Sequence, residues 1–371
     1  MTVHYADVTI DYTQVDSNLT DFVVYIDLSD MPAALHAAAA DGGGEIRCFK
    51  DDGTTELARE VVSYVAASDT GELHVRFSGT LSATVDTVIE IHLDTGESDY
   101  AVTATYGRNN VWQDYAFVFH GDDLVCSTGN HTLTESGPSS QVGVAGKMGG
   151  SFDFRGANNH YYSTADAATL SFTDAITISC WALCRDDTRG QLFGKYDTVT
   201  TGREYFIETQ QSATTAQAMN LGDTNGGGFK ATSADNLNDV ANDTWSHTVG
   251  TWDKDLDSGL GQIFVDGLEV TVYSNQNAKT TALGNMTTSF RVGHVYSTNR
   301  ALDGQIDEMR GRGEKLSAAW IDAEYTNQNT PSTFYAATAV SASGDFIQSI
   351  AGHGGIAGLG GNAGRAGGIA G

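Results

Sequence analysis

Short segments in which apolar and polar residues alternate run through most of the chain. In the first hundred residues they are VTIDYTQV, FVVYIDL, EIRCF, ELHVRF and TVIEIHL, separated by turns rich in Asp, Gly, Ser and Thr. A period of two is typical of strands that bury one face, and this length and spacing are typical of β-sandwiches. The pattern therefore predicts an antiparallel β-sandwich at the start of the chain.

A second series of strand-like segments follows a break at ATYGRNN, so we place a domain boundary near Arg108. It includes SFDFRG, ITISCWALC, QLFGKYD, EYFIETQ, WSHTVGTWD, GQIFVDGLEV and GQIDEMRGR. The predicted fold class is all-β, with two consecutive jelly-roll-like sandwiches. The predicted divisions are a first sandwich of unknown function at 1–107, a second at 108–335, and an Ala/Ser linker with a glycine-rich tail at 336–371.

Two segments depart from this rhythm and predict helices. MPAALHAAAADGGG places Pro32 to begin a helical turn, continues it with alanines and ends it with glycines. KLSAAWIDAEYTNQ carries apolar residues at Leu316, Trp320, Ile321 and Tyr325, which is a helical spacing. We expect one short helix inside the first sandwich and one packed helix closing the second.

Composition and charge exclude several classes of partner. The 371 residues carry a formal net charge of −27, which would repel nucleic acid and anionic membrane surfaces. No stretch reaches the ~20 apolar residues of a membrane-spanning helix, and the N-terminus lacks the pattern of a secretory signal, so we expect neither membrane insertion nor export by that route. The four cysteines are too few for a disulfide scaffold and are predicted to be buried free thiols. They are Cys48, Cys126, Cys180 and Cys184.

The second module resembles a laminin-G-like domain of the concanavalin A-type lectin/glucanase class, over about 111–335. The resemblance rests on an ordered set of motifs: GKMGGSFDFRGANNHYY, TDAITISCWALC, LFGKYD, TWSHTVGTWD, IFVDGLEV and LDGQIDEMRGRGEKLSAAWIDAEYTNQ. The first module resembles a bacterial domain of unknown function that often precedes such modules in surface proteins. The resemblance implies a jelly-roll sandwich and no particular activity.

Catalysis is not expected. Retaining glycosidases need two carboxylates about 5 Å apart across the sugar bond. The nearest counterpart here is DGQIDE, in which Asp307 and Glu308 are adjacent and are expected to point to opposite faces of a strand. We therefore interpret the acidic cluster as structural, and the protein as a non-enzyme.

Resemblance to laminin-G-like domains also implies a calcium ion at the rim of the sandwich. The implied ligands are Asp153, Asn158, Asn159, Asp303 and Asp307. The alternative is that these residues only stabilise turns. No other cofactor is expected.

A carbohydrate ligand would need exposed aromatic side chains. The candidates are Tyr161, Tyr162, Tyr196 and Trp252, and the alternative for each is a place in the core.

Glycine recurs at every third position near the C-terminus, at Gly352, Gly355, Gly358, Gly361, Gly364 and Gly367. A polyproline-II strand has three residues per turn, so one of its edges would be all glycine. Such strands can lie very close to their neighbours, which favours a tail that assembles copies of the chain into an oligomer. A flexible low-complexity end is the alternative.

Together these features suggest a non-catalytic structural or adhesive protein at the surface of a phage virion. A fibre, tail-tip or capsid-decoration subunit that binds host glycans or assembly partners fits the combination. The alternatives are a secreted or cell-surface bacterial adhesin or matrix protein, placed outside the cell, and a glycan hydrolase.

Overall fold

The computed structural model describes residues 2–137, 141–155, 160–185, 190–197, 203–209, 217–222, 228–232, 243–270, 280–296 and 300–340. Strands dominate this part of the chain. They are β1 (Thr2–Ile10), β2 (Leu19–Thr20), β3 (Val23–Asp27), β4 (Ile46–Lys50), β5 (Glu56–Leu57), β6 (Arg59–Val65), β7 (Thr70–Arg76), β8 (Thr80–Leu81), β9 (Thr87–Asp94), β10 (Phe117–Phe119), β11 (Thr134–Ser136), β12 (Gln141–Ala145), β13 (Gly150–Phe154), β14 (Tyr161–Thr164), β15 (Ala175–Cys184), β16 (Gly190–Tyr196), β17 (Arg203–Thr209), β18 (Ala218–Gly222), β19 (Gly228–Thr232), β20 (Trp245–Asp253), β21 (Gln262–Val265), β22 (Leu268–Val270), β23 (Phe290–Val292), β24 (Gly304–Arg312) and β25 (Tyr335–Ala339). The helices are α1 (Ala33–His36), α2 (Arg108–Val111), α3 (Ala318–Asn329) and α4 (Pro331–Phe334).

The first sandwich is built from the alternating segments at the start of the chain. Its larger sheet has the order β25-β1-β9-β4-β5, and the smaller sheets are β3-β7-β6 and β2-β8. On β9, Ile89, Ile91 and Leu93 are fully buried, whereas Val88 and Glu90 on either side of Ile89 are partly exposed. Burial of one face of each strand produces the period of two in the sequence.

The second sandwich has two large sheets with an aromatic core between them. The eight-stranded sheet has the order β12-β13-β24-β15-β20-β21-β22, with β10 paired to β24, and the seven-stranded sheet has the order β11-β14-β23-β16-β17-β18-β19. Its fully buried side chains include Phe117, Phe152, Phe193, Trp252 and Phe290.

The two sandwiches share buried surface. β25 returns to the first sandwich and pairs with β1, so the sequence of the second module lies between two neighbouring strands of the first. Val249 and Phe264, from the eight-stranded sheet, and Trp320 of α3 pack into the core of the first sandwich. One outer face of the second sandwich is therefore covered by the rest of the chain. The boundary at 107/108 stays a prediction.

Several sequence-based expectations are confirmed. The fold is all-β, and α3 begins with Ser317 as its N-cap, whose hydroxyl accepts from the Trp320 N–H. All four cysteines are free and buried. The predicted helix at Pro32 is shorter than the alanine run, because α1 covers only Ala33–His36. The glycine-periodic tail lies outside the described residues.

Asn327 of α3 joins the two sandwiches by bonding to the backbone of β3. Its Oδ1 accepts from the Tyr25 N–H at 2.7 Å, and its Nδ2 donates to the Tyr25 carbonyl at 2.8 Å, both buried. Asn327→Leu would leave both backbone groups unpaired, so we expect a loss of about 1–3 kcal/mol in the free energy of unfolding. Denaturant titration measures it. Asn329→Leu is the control because Asn329 is only half-buried and bonds only to side chains; an equal loss there would contradict the assignment.

Candidate functional site

The outer face of the seven-stranded sheet is partly exposed at Ser163, Arg291 and Asn220, whereas Phe206 at its centre is buried. The register places Ser163, Arg291, Gly194, Phe206 and Asn220 side by side across five strands, all on the outer face. Their neighbours along the same strands point inward and belong to the core: Tyr162, Val292, Phe193, Tyr205 and Leu221.

Glycine at position 194 allows the strands at the centre of this row to approach closely. A Cβ at Gly194 would lie 2.4 Å from the Phe206 Cβ and 2.3 Å from the Tyr205 carbonyl oxygen. Any side chain here would collide with β17. Only glycine therefore fits beside Phe206.

Tyr196, Phe206 and Tyr296 form an aromatic cluster on this face. The ring centroids are 4.6 Å apart for Tyr196 and Phe206, 5.2 Å for Tyr196 and Tyr296, and 5.3 Å for Phe206 and Tyr296. Phe206 is buried beneath the tyrosines, which are partly exposed. Arg203 and Arg300 lie over the rings of Tyr196 and Tyr296, each at 5.6 Å. The cluster presents aromatic surface beside guanidinium donors.

Tyr161 adds a further ring to the same face. The guanidinium of Arg291 lies 4.8 Å from the centre of its ring, and His294 packs against its edge at 5.7 Å. Of the four aromatic residues considered from the sequence, Tyr161 and Tyr196 are partly exposed here. Tyr162 and Trp252 are buried in the core instead.

Tyr296, Phe206 and the arginines were not among the residues predicted from the sequence. Tyr296 and Arg300 lie outside regular strands, where no periodicity indicates direction. Phe206 reads as one more apolar residue in EYFIETQ, and only the sheet register shows that it faces outward. Pairing with distant strands therefore identifies this face, and local pattern does not.

The described residues among the implied calcium ligands lie in two places. Arg185 bridges Asp153 at 2.7 Å and Asp303 at 3.5 Å, so a guanidinium lies between these carboxylates. Asp307 instead accepts from the backbone N–H groups of Lys147 and Met148 at 2.7 and 2.9 Å. Asn158 and Asn159 lie outside the described residues. The described part of this set is a poor fit to calcium, because an arginine already neutralises two of the carboxylates; calcium binding stays a prediction.

Asp307 and Glu308 do not point to opposite faces, contrary to the expectation from strand alternation. Glu308 has a φ of 49°, and the pairing of β24 with β15 shifts register between Ser179 and Trp181. This β-bulge puts Ile306 and Met309 in the core and turns both carboxylates to the other side. Both are buried, at 0% and 1% exposure, where the first sandwich covers the sheet.

A buried polar cluster, which we call the junction cluster, lies where the two sandwiches meet. Glu60 and the pair Glu72 and His74 come from β6 and β7 of the first sandwich, and His120 and Glu308 come from the second. His120 bonds to Glu308 through Nδ1 and to Glu60 through Nε2, the latter at 3.1 Å. Arg310 bridges Glu308 and Glu324.

Charge within the junction cluster alters its acid–base properties. Burial by itself would raise the pKa of Glu308, but the charges of His120 and Arg310 hold that pKa well below its usual range. Burial raises the pKa of Glu72, and the Glu308 carboxylate adds to the rise. Glu60 and His120 also line a cavity of about 150 Å³, together with Arg59, Asp99, Tyr100, Arg108 and Asp122.

Comparison with known sequences identifies the second sandwich. Residues 155–322 match the family described as Laminin_G_3, concanavalin A-like lectin/glucanases superfamily. No curated protein is similar in sequence to this chain. No helix among the described residues has the length and apolar character needed to cross a membrane.

Solved structures with a similar fold are distant. Domain 4 of AbnA, an extracellular GH43 arabinanase from Geobacillus stearothermophilus in complex with arabinotriose, is 19% identical with a TM-score of 0.43, over 56% of this chain and 97% of that one. The binding domain of Paraclostridial Mosquitocidal Protein 1 is 12% identical with a TM-score of 0.46, over 58% and 52%. The ligand binding domain of botulinum neurotoxin serotype D, in complex with N-acetylneuraminic acid, is 11% identical with a TM-score of 0.43, over 58% and 51%. The chain spans about half the length of these toxin domains.

Proposed function

Because residues 155–322 form a laminin-G-type domain of the concanavalin A-like lectin/glucanase superfamily, we propose that this protein binds carbohydrate without cleaving it. The observation that carries the proposal is the aromatic cluster on the outer face of the seven-stranded sheet, with its partly exposed tyrosines and flanking arginines.

The chemistry of this face suits a sugar. The apolar C–H face of a sugar ring packs on an aromatic side chain, and polar groups beside the ring fix the hydroxyls. Tyr196 and Tyr296 supply partly exposed rings, and Arg203, Arg300 and Asn220 supply polar groups. The arginines further favour a glycan that carries carboxylate or sulfate groups, because a guanidinium pairs with such groups in two-point contacts.

Burial of the nearest paired carboxylates supports a non-catalytic role. Asp307 is bonded to backbone N–H groups, and Glu308 is bonded to His120 and Arg310. Both lie under the first sandwich, and a sugar would have to separate the two modules to reach them. A glycan hydrolase is therefore the weaker alternative, and β-glucan cleavage that disappears in Asp307→Asn would favour it.

A glycan array of the full chain tests binding, and variants test the face. We expect Tyr196→Ala and Tyr296→Ala each to weaken binding to the best glycan by about tenfold or more, because truncating an aromatic hot-spot residue to alanine costs about 2 kcal/mol or more. Tyr12→Ala is the matched control, since Tyr12 is an exposed tyrosine, at 41%, on the first sandwich. Unchanged affinity in both face variants, or an equal loss in the control, would contradict the assignment. Repeating the array in a chelator tests the predicted calcium ion.

We place this activity on the surface of a phage particle. The proposal rests on two β-sandwich modules combined with glycine at every third position from Gly352 to Gly367, a pattern suited to assembly of several copies. Mass spectrometry of purified particles tests the location, and a particle without this chain would favour the bacterial adhesin instead. Light scattering tests assembly: removing 341–371 should convert an oligomer to a monomer.

A further inference from the structure

We propose that Glu72, His74, His120 and Glu308 bind one divalent first-row transition-metal cation, of the Zn²⁺ type, between the two sandwiches. This proposal concerns the joining of the modules and does not depend on carbohydrate binding.

The four side chains already have the proximity that a metal centre needs. One potential ligand atom from each lies within 4.8 Å of all the others. Glu72 Oε1 is 2.7 Å from His74 Nε2 and 3.5 Å from His120 Nδ1, and Glu308 Oε2 is 3.8 Å from His74 Nε2. Two ring nitrogens and two carboxylates thus face one another across a single small volume.

Burial makes this grouping costly without a cation. All four side chains are at most 6% exposed. Glu72 Oε2 and His74 Nδ1 have no hydrogen-bond partner among the described residues, which is unfavourable for buried polar atoms. Glu60 and Asp307 are further carboxyl groups nearby, and Arg310 already bridges Glu308 and Glu324. A divalent cation would compensate the excess of carboxylates.

His120 also has a carboxylate partner on the ring nitrogen that would not bind the metal, as metal-ligating histidines commonly do. With Nδ1 directed at Glu308 and Glu72, its Nε2 faces Glu60 Oε2 at 3.1 Å. Glu60 is itself held by the Ser127 hydroxyl at 2.8 Å and by the Trp112 indole N–H. A carboxylate on the far nitrogen of a ligating histidine fixes the orientation and tautomer of its ring.

The ligand atoms, two imidazole nitrogens and two carboxylate oxygens, indicate which class of metal would bind. Mixed imidazole and carboxylate ligands suit Zn²⁺ and neighbouring transition metals, whereas Ca²⁺ and Mg²⁺ prefer oxygen alone. Four protein ligands with little exposure fit a closed structural centre. The cavity lined by Glu60 and His120 offers a path from solvent.

Such a metal would clamp the two modules together. Glu72 and His74 lie two residues apart on β7 and share a face, while Glu308 lies in the bulge of β24 and His120 directly follows β10. The ligands therefore come from both sandwiches, and neither module supplies all four. Metal binding should oppose separation of the modules.

Metal analysis of the full chain tests the proposal. Protein stripped with a chelator and then dialysed against Zn²⁺ should retain about one equivalent and show a rise in Tm of about 5 °C, and Ca²⁺ or Mg²⁺ should produce neither effect. Co²⁺ should give the visible absorption of a four-coordinate ion. X-ray absorption of the Zn²⁺ form should show two imidazole ligands.

Variants locate the metal. His74→Gln and His120→Gln should each abolish retention of the equivalent, whereas His92→Gln should not. His92 is the matched control because it lies in a second histidine–glutamate group, with His4 and Glu90. The proposal would be overturned if wild type retained no Zn²⁺, or if only His92→Gln lost it. Bound protons would then balance the negative charge of the junction cluster. If the His74 and His120 variants fail to fold, X-ray absorption of wild-type protein tests the proposal instead. A zinc centre without two imidazole ligands would contradict it.

Discussion

Replacing Lys195 with methionine is expected to lower the free energy of unfolding by about 3–5 kcal/mol. The Lys195 side chain is fully buried in the second sandwich and lies 2.8 Å from Glu204, which is also fully buried, and 2.6 Å from Asp166. It also donates to the Ser171 hydroxyl and the Met286 carbonyl. Methionine fills a similar volume but leaves Glu204 as an uncompensated charge. Burial raises the pKa of Glu204, and Lys195 opposes that rise.

A double-mutant cycle separates loss of the ion pair from loss of packing. Lys195→Met with Glu204→Leu removes both charges, so we expect the double variant to recover more than half of the lost stability. Lys254→Met is the control, because Lys254 pairs with Asp255 at the surface and should change little. Denaturant unfolding measures wild type, the two single variants, the double variant and the control. Losses that simply add would show that Lys195 and Glu204 do not depend on each other.

The second large effect is loss of stability in acid through His247. This side chain is buried beside Trp181 and Tyr325, and burial lowers its pKa from 6.5 to about 4. In the unfolded chain it binds a proton near pH 6.5, so between pH 6.5 and 4 the unfolded state holds more protons. Stability therefore falls as the pH falls through this window, by about 3 kcal/mol at most. Glu324, Arg310, Asp266 and Lys147 are the charged groups around it.

The variant His247→Phe removes this titration and keeps an aromatic ring. The difference in unfolding free energy between variant and wild type should move in favour of the variant as the pH falls from 7 to 4. Denaturant titrations at several pH values measure that difference, in which the carboxylates common to both proteins cancel. A difference that does not change with pH would contradict a neutral buried His247.

Local pattern predicted the strands well because burial of one strand face is a local constraint. Ile89, Ile91 and Leu93 alternate with more polar residues, and their direction follows from the sequence alone. Helix α3 was predictable for the same reason, from its apolar spacing. The motifs of the second sandwich added the family, because they occur in a characteristic order.

The junction cluster and the aromatic face could not be predicted in this way. In ELHVRF, Glu72 and His74 read as the solvated side of a strand, yet both are buried because Glu308 packs on them from more than two hundred positions along the chain. At Glu308 itself, one residue with a positive φ reverses the expected direction of a carboxylate. Such features depend on pairing between distant segments, which one sequence does not encode locally.

The pairing of β1 with β25 also bears on how the molecule would respond to force. The two strands are antiparallel, with Ala6 opposite Ala339 and Ile10 opposite Tyr335, so Thr2 and Val340 lie at the same end of the ladder. Tension applied between those two points would break the hydrogen bonds one after another, as in a zipper, instead of shearing them together. We expect β25 to detach at low load, while the sheets of the second sandwich stay intact under the same pull.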